Sequence, residues 1–219
     1  MPVKLNISTY IRSKCPKLIL ACLSATVRVE VSSPELLSLI DQLVSVKKGM
    51  DLDDIKDIPA IKSSREAYKA LGKEPSRYRL SAEALHRRVI RGLGLYQINN
   101  VVDIINYISL KSGYSIGGYD RECIEGAILL DAGLADDVYE SIGRGLLNVE
   151  NLPVLRDSAG AFGSPTSDSA RTLINENTRH ILLVFFDFDG KEDVHATVHE
   201  TAALLKQFAS ADEVNLTVY

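Results

Sequence analysis

The chain has 219 residues, 46% hydrophobic and 25% charged, with a formal net charge of −4. That length fits one large domain or two small ones, and that composition buries a proper core and excludes a disordered or low-complexity chain. The longest apolar runs, such as Ile181 to Phe186, are too short to cross a bilayer, and the opening MPVKLNISTYIRSKCP holds no apolar stretch of the signal-peptide kind.

In chain order, Lys17 to Val31 reads as a strand that ends in the alternation Val27, Val29, Val31. Ser33 caps a helix with Pro34 at its first position, and Leu36, Leu37, Ile40, Leu43 and Val44 form its apolar side up to Gly49. A polar connector, 51–58, leads to a helix opened by Ser63 or Ser64 and ended by Gly72 and Pro75. Ser81 is placed to cap the next helix. There Leu85, Val89 and Leu93 make an apolar stripe opposite a charged stripe of Glu83, Arg87 and Arg91. Asn99 or Asn100 caps a further helix, with Asp103 in a capping-box position. Val101, Val102, Ile104, Ile105 and Ile108 make that helix apolar over most of its circumference, which predicts a central, buried helix.

After Gly113 the pattern turns to strands. Gly118 to Asp120, Ala127 to Asp131, Val138 to Gly143, Leu146 to Val149 and Pro153 to Asp157 read as short extended segments. Asp157 to Gly160 reads as a turn. Thr178 to Phe188 is apolar on both faces and so interior. Val194 to Phe208 marks a last helix, and Val214, Leu216 and Val218 a closing strand. Helices early and short strands late, with no linker or repeat, predict a single α+β domain over 1–219, the helices packed on a β-sandwich-like arrangement of short mixed strands.

Between Lys62 and Arg91 nine basic residues face three acidic ones, a net of +6 that leaves −10 for the rest of the chain. Such a segment is either a phosphate contact or a solvated helix face with internal pairs such as Glu83 with Arg87. Cys15, Cys22 and Cys123 are odd in number and lack CxxC spacing, as expected of reduced thiols in the cytoplasm. His195 and His199 stand at i,i+4, but Glu200 follows rather than separates them, so no zinc motif forms and no metal is expected. Neither GxSxG, GxGxxG after a strand nor GxxxxGK[ST] occurs, which leaves no signature of a serine hydrolase or of phosphate-cradling loops, and no cofactor is expected. The hydroxyl-rich GAFGSPTSDSART, Gly160 to Thr172, either caps its own turns or lines a pocket with hydroxyls and N–H groups.

The stretch SAEALHRRVIRGLGLYQINNVVDIINYISLKSGYSIGGYD, Ser81 to Asp120, resembles the editing module, the B-three/B-four domain, of the phenylalanyl-tRNA synthetase beta subunit. Leu85 with the Arg87–Arg88 pair, Asn99 to Asp103, Asn106–Tyr107 and Tyr119–Asp120 carry the resemblance, which extends more loosely over 65–188. The lead-in KALGKEPSRYRLS is similar to free-standing members that have no synthetase attached. The resemblance implies a domain that accepts the tRNA 3′ end, or an aminoacyl-tRNA, or an amino acid. In the synthetases this domain hydrolyses the tyrosyl ester, so an alternative is a hydrolase acting in trans on mischarged tRNA. No aminoacylation activity of its own is expected. The family's pocket asparagine corresponds to Asn106. Ile105 stands where the synthetases have threonine, and Gly117 where they have histidine. The loop that should bring a glutamate has none. The pocket is therefore expected from Ile105, Asn106, Gly117, Gly118, Ser164, Thr166 and Ser167, and RNA contact from Arg77, Arg79, Arg87, Arg88 and Arg91. Asn106 sits mid-helix, where asparagine is unfavourable, so its amide should bond a loop or a ligand. Asn99, Asn100 and Asp103 are explained by capping, and Asp120 by the turn that follows it.

Overall fold

The computed structural model describes residues 4–143, 145–190 and 193–219. Strand β9 (His180–Asp187) organises it. Its alternate side chains Ile181, Leu183 and Phe185 enter one apolar core, and Leu182, Val184 and Phe186 another. A strand with two apolar faces must be covered on both, which places it inside a sheet between two layers. That sheet runs β10 (Asp212–Val218), β2 (Ile19–Thr26), β9 and β3 (Ser115–Asp120), all antiparallel. β3 is therefore an edge strand.

One face is covered by helices α2 (Pro34–Lys47), α5 (Asn100–Ser112) and α6 (Asp193–Phe208). The other packs on a second sheet of β1 (Leu5–Ile7), β4 (Ile128–Ala132), β7 (Pro153–Asp157) and β8 (Gly160–Gly163), in that order, with the first pair parallel. Short helix α1 (Thr9–Lys14) joins β1 to β2 and buries Ile11 in this second core. Helices α3 (Pro59–Ala70) and α4 (Ser81–Ile90) pack with the hairpin β5 (Val138–Ser141) and β6 (Gly145–Asn148) around Tyr68, Leu80 and Tyr139. The fold is α+β, as the order of elements predicts.

Several local expectations move. The first long strand stops at Thr26, and 27–33 runs on without regular structure, although Val27 and Val29 stay buried. α3 begins at Pro59, not at Ser63 or Ser64. Proline's fixed φ suits the first helical position, and both serines lie inside the helix with hydroxyls bonded back to the Ala60 carbonyl. Leu80, not Ser81, is the cap of α4, and the Ser81 N–H donates to the carbonyl of Pro165 in the hydroxyl-rich loop (2.8 Å). Leu93 lies beyond the end of α4 and is exposed.

α5 is buried along most of its length, as its composition predicts. Only Asn99 caps it, accepting from the Val102 N–H at 2.9 Å. Asn100 instead fastens three segments. Its Oδ1 accepts from the Glu30 N–H (3.0 Å), and its Nδ2 donates to the carbonyls of Arg28 and Phe208 (2.9 Å each). Asp103 bonds the Ile98 N–H and the Ser32 hydroxyl rather than closing a capping box. Asp120 accepts from the Glu122 N–H in the turn it begins. All three cysteines are free. Among the described residues no helix is long and apolar enough to cross a membrane.

Candidate functional site

On one face of α5, Val102, Ile105, Asn106 and Ser109 recur at three- and four-residue spacing and face a cavity of about 490 Å³. α4 supplies Ser81, Ala84 and Leu85, and the segment between α4 and α5 supplies Tyr96 and Ile98. Ile116 and Gly118 of β3 form the floor. The β5–β6 turn gives Ile142 and Gly143, and the loop after β8 gives Thr166, Ser167, Asp168, Leu173 and Ile174.

Of the residues expected at a pocket, Ile105, Asn106, Gly118, Thr166 and Ser167 line this cavity, while Gly117 and Ser164 do not. The period of a strand decides the glycines, because neighbours point to opposite faces. Gly118 faces the cavity, where an added Cβ would lie 2.7 Å from Ile105 Cδ1. Gly117 faces the inter-sheet core, where an added Cβ would lie 2.0 Å from the Tyr119 hydroxyl. A Cβ added at Gly163 would lie 2.2 Å from the same hydroxyl, from the other side. The two glycines thus form a slot for the fully buried Tyr119 ring, which also packs edge-on against Phe162 with centroids 5.0 Å apart. Ser164 turns inward, and its Oγ accepts from the N–H groups of Thr166 and Ser167 while donating to the Ser167 carbonyl.

The loop is held by tyrosines. Thr166 Oγ1 bonds the Tyr68 hydroxyl at 2.9 Å, the Tyr139 hydroxyl donates to the Ser167 carbonyl, and the Ser167 and Ser141 hydroxyls bond at 2.8 Å. The hydroxyls of GSPTSDS therefore do both things the sequence left open. They brace the loop, and Thr166 and Ser167 still contribute to the cavity wall.

Two polar groups in that wall stand out. The Asn106 side chain has no hydrogen-bond partner among the described residues, so the expected bond to a neighbouring loop does not form. Asp168 is the second, and the sequence reading passed it over. Its Oδ1 accepts from the Tyr119 hydroxyl (2.9 Å) and its Oδ2 from the Gly118 N–H (3.3 Å), so it satisfies the free edge of β3. No Lys, Arg or His pairs with it among the described residues, and burial pushes its carboxyl up to about 7 despite both hydrogen bonds. The available signal was its isolation, as the sole acid between Asp157 and Glu176, set among hydroxyls.

The sign of the resulting pH effect is fixed. A carboxyl that binds its proton more tightly folded than unfolded makes the native state lose stability as pH rises from about 4 to about 7. The unfolding free energy of the wild type, measured against that of Asp168→Asn by denaturant melts, is expected to drop by on the order of 2 kcal/mol between pH 5 and pH 7.5, discounted for partial exposure to the cavity. Two curves that stay parallel across this range would contradict it.

The basic segment is partly neutralised from within. Glu83, expected on a solvated stripe, is 2% exposed and gathers Arg65 (2.8 Å), Arg87 (3.1 Å) and Arg79 (3.8 Å). Burial of that carboxylate is sustained by three guanidinium groups that remain partly exposed. Arg88 lies over the Tyr96 ring, 3.8 Å from its centroid, at the rim of the cavity. Arg77 and Arg91 are exposed and carry no ion pair among the described residues. His195 and His199 are exposed on α6, and among the described residues no group of three His, Cys, Asp or Glu side chains could hold a metal ion.

An α+β domain with a small apolar cavity between a buried helix and a hydroxyl-braced loop is the class of protein these features define. Residues 63–207 match the B3/4 domain, and the chain belongs to that family. It is similar to phenylalanine–tRNA ligase beta subunits. One from Leifsonia xyli subsp. xyli is 31% identical over 99 residues, covering 44% of this chain and 12% of the relative. One from Rickettsia prowazekii is 25% identical over 129 residues, covering 48% and 16%. One from Clostridium tetani is 22% identical over 175 residues, covering 76% and 21%. The chain thus aligns with about a fifth or less of the length of these relatives. An N-terminal fragment of the Pyrococcus horikoshii phenylalanyl-tRNA synthetase beta subunit superposes with a TM-score of 0.47 at 12% identity, covering 100% of this chain and 50% of that one.

Proposed function

We propose that the cavity binds the aminoacyl end of a tRNA, or the amino acid alone, and that the basic segment meets the RNA backbone. The observation that carries this reading is the unpartnered Asn106 carboxamide in an otherwise largely apolar wall. A donor–acceptor group left without a protein partner is costly when desolvated, and a ligand amide, ester or hydroxyl would satisfy it. A cavity of about 490 Å³ is of the size that takes an amino-acid side chain together with its ester. Membership of the B3/4 family and similarity to the beta subunits of a tRNA ligase support an aminoacyl-tRNA over other esters. At the rim, the Arg88–Tyr96 pair offers a cation beside an aromatic face, a surface on which a terminal base can stack. Arg77 and Arg91 are free to meet phosphates. Arg79 and Arg87 would contribute with charge already shared with Glu83.

The test is titration with non-hydrolysable aminoacyl-adenosine analogues and with aminoacyl-tRNA. Asn106→Ala is expected to weaken analogue binding by about tenfold, the worth of one buried hydrogen bond. Arg77→Glu with Arg91→Glu is expected to weaken only the tRNA and to flatten its salt dependence by about two contacts. Binding unchanged by Asn106→Ala, or tRNA affinity unchanged by salt, would remove the proposal. A second reading, hydrolysis of mischarged tRNA in trans, is favoured by Asp168, a carboxyl near 7 able to take a proton from water inside the same cavity. Ester release above the buffer rate that falls with Asp168→Asn would support it.

A further inference from the structure

Asp168 is a carboxylate in a cavity wall with no cation from the described residues to compensate it. The groups that hold it are a phenolic hydroxyl and a backbone N–H, both neutral. Among the described lining residues no other side chain is an acid or a base of the Lys, Arg or His kind. An unpaired carboxylate here lowers stability at neutral pH. A fold that bears such a cost at a cavity does so where a bound group completes the pair. The two bonds in place use one acceptor site on each oxygen, so each keeps capacity for another donor.

We propose that Asp168 selects ligands with a primary ammonium group and an esterified or amidated carboxyl, in preference to free amino acids. This rests on the reading of the cavity as an aminoacyl site. An α-ammonium would form a charge-assisted hydrogen bond with Asp168, stronger than a bond between neutral groups. A free amino acid would also bring its own carboxylate, a second negative charge confined with the first, and like charges at short range disfavour each other. An ester or amide brings no such charge. The apolar side chains of Ile105, Ile116 and Ile174 are then left for the ligand side chain, which points to an apolar or aromatic aminoacyl group.

The experiment compares, on the unaltered protein, amide-linked aminoacyl-adenosines of leucine, phenylalanine and tyrosine, their N-acetyl counterparts and the free amino acids, by calorimetry at pH 7.5. The amine-bearing analogue is expected to bind at least about tenfold more tightly than its N-acetyl form, and at least about tenfold more tightly than the free amino acid. Asp168→Asn should abolish the first difference and leave the N-acetyl affinity within about twofold. Equal affinity for amine and N-acetyl forms, with both still weakened by Asn106→Ala, would overturn the role of Asp168 and leave the aminoacyl site standing. Absence of binding by every analogue would overturn both. The comparison of ligands on wild-type protein holds whether or not Asp168→Asn folds.

Discussion

Gly117→Ala is expected to destabilise the protein by about 3 kcal/mol or more, read as a shift in the denaturant midpoint at unchanged slope. The added methyl would lie 2.0 Å from the Tyr119 hydroxyl oxygen and 2.5 Å from Cζ, both inside contact distance. A ring end in an open site would swing away at little cost. Tyr119 cannot, because it is fully buried, lies against Gly163 on its far side and packs on Phe162. The substitution should also release Asp168, whose bond to the phenol depends on that ring position. Gly118→Ala is the control. Its methyl meets the tip of Ile105 at 2.7 Å on the cavity side, where a side chain can rotate, so a cost of about 1 kcal/mol and a narrower cavity are expected. Equal losses for the two variants would mean that the face assignment of β3 is wrong.

Asn100→Ala is expected to cost about 3 kcal/mol. The side chain is 1% exposed and ties the start of α5 to the chain after β2 and to the end of α6. Truncation leaves the Glu30 N–H and the carbonyls of Arg28 and Phe208 without that partner, and each group left unsatisfied costs about 1–3 kcal/mol. Asn100→Asp separates this from simple volume loss. The shape is kept, but a carboxylate cannot donate to two carbonyls, so the aspartate should be at least as damaging as the alanine. An aspartate variant as stable as the wild type would refute the account. Had Asn100 been a helix cap, aspartate would have replaced it well.

Much of the local structure was legible in the residues. The two apolar faces of Ile181 to Phe186 required an interior strand, and β9 is one. Ser33 with Pro34 marked the start of α2, and the apolar density of Val101 to Ile108 marked α5 as central. An asparagine set into that helix marked its cavity face, because a polar group in an apolar helix needs a reason. These are signals of period and composition, which act over a few residues and do not depend on what lies opposite.

What the chain's order alone could not supply is which partner each group meets. Gly117 and Gly118 are alike in sequence, and only the pairing of β3 with β9 sends one into the inter-sheet core and the other into the cavity. Glu83 at i,i+4 from Arg87 looked like a solvated pair until Arg65 and the packing of α3 enclosed it. Asn100 looked like a cap until two distant carbonyls claimed its amide. Asp168 went unnoticed among the hydroxyls of its loop, and only the fold brings it back 50 positions to the edge of β3. The cavity-facing helix was written in local periodicity, and the family in the motifs between Ser81 and Asp120 that resemble it; the charge of the cavity was set by long-range contacts, because burial and the absence of a counter-charge are properties of assembled surfaces and not of any short stretch of chain.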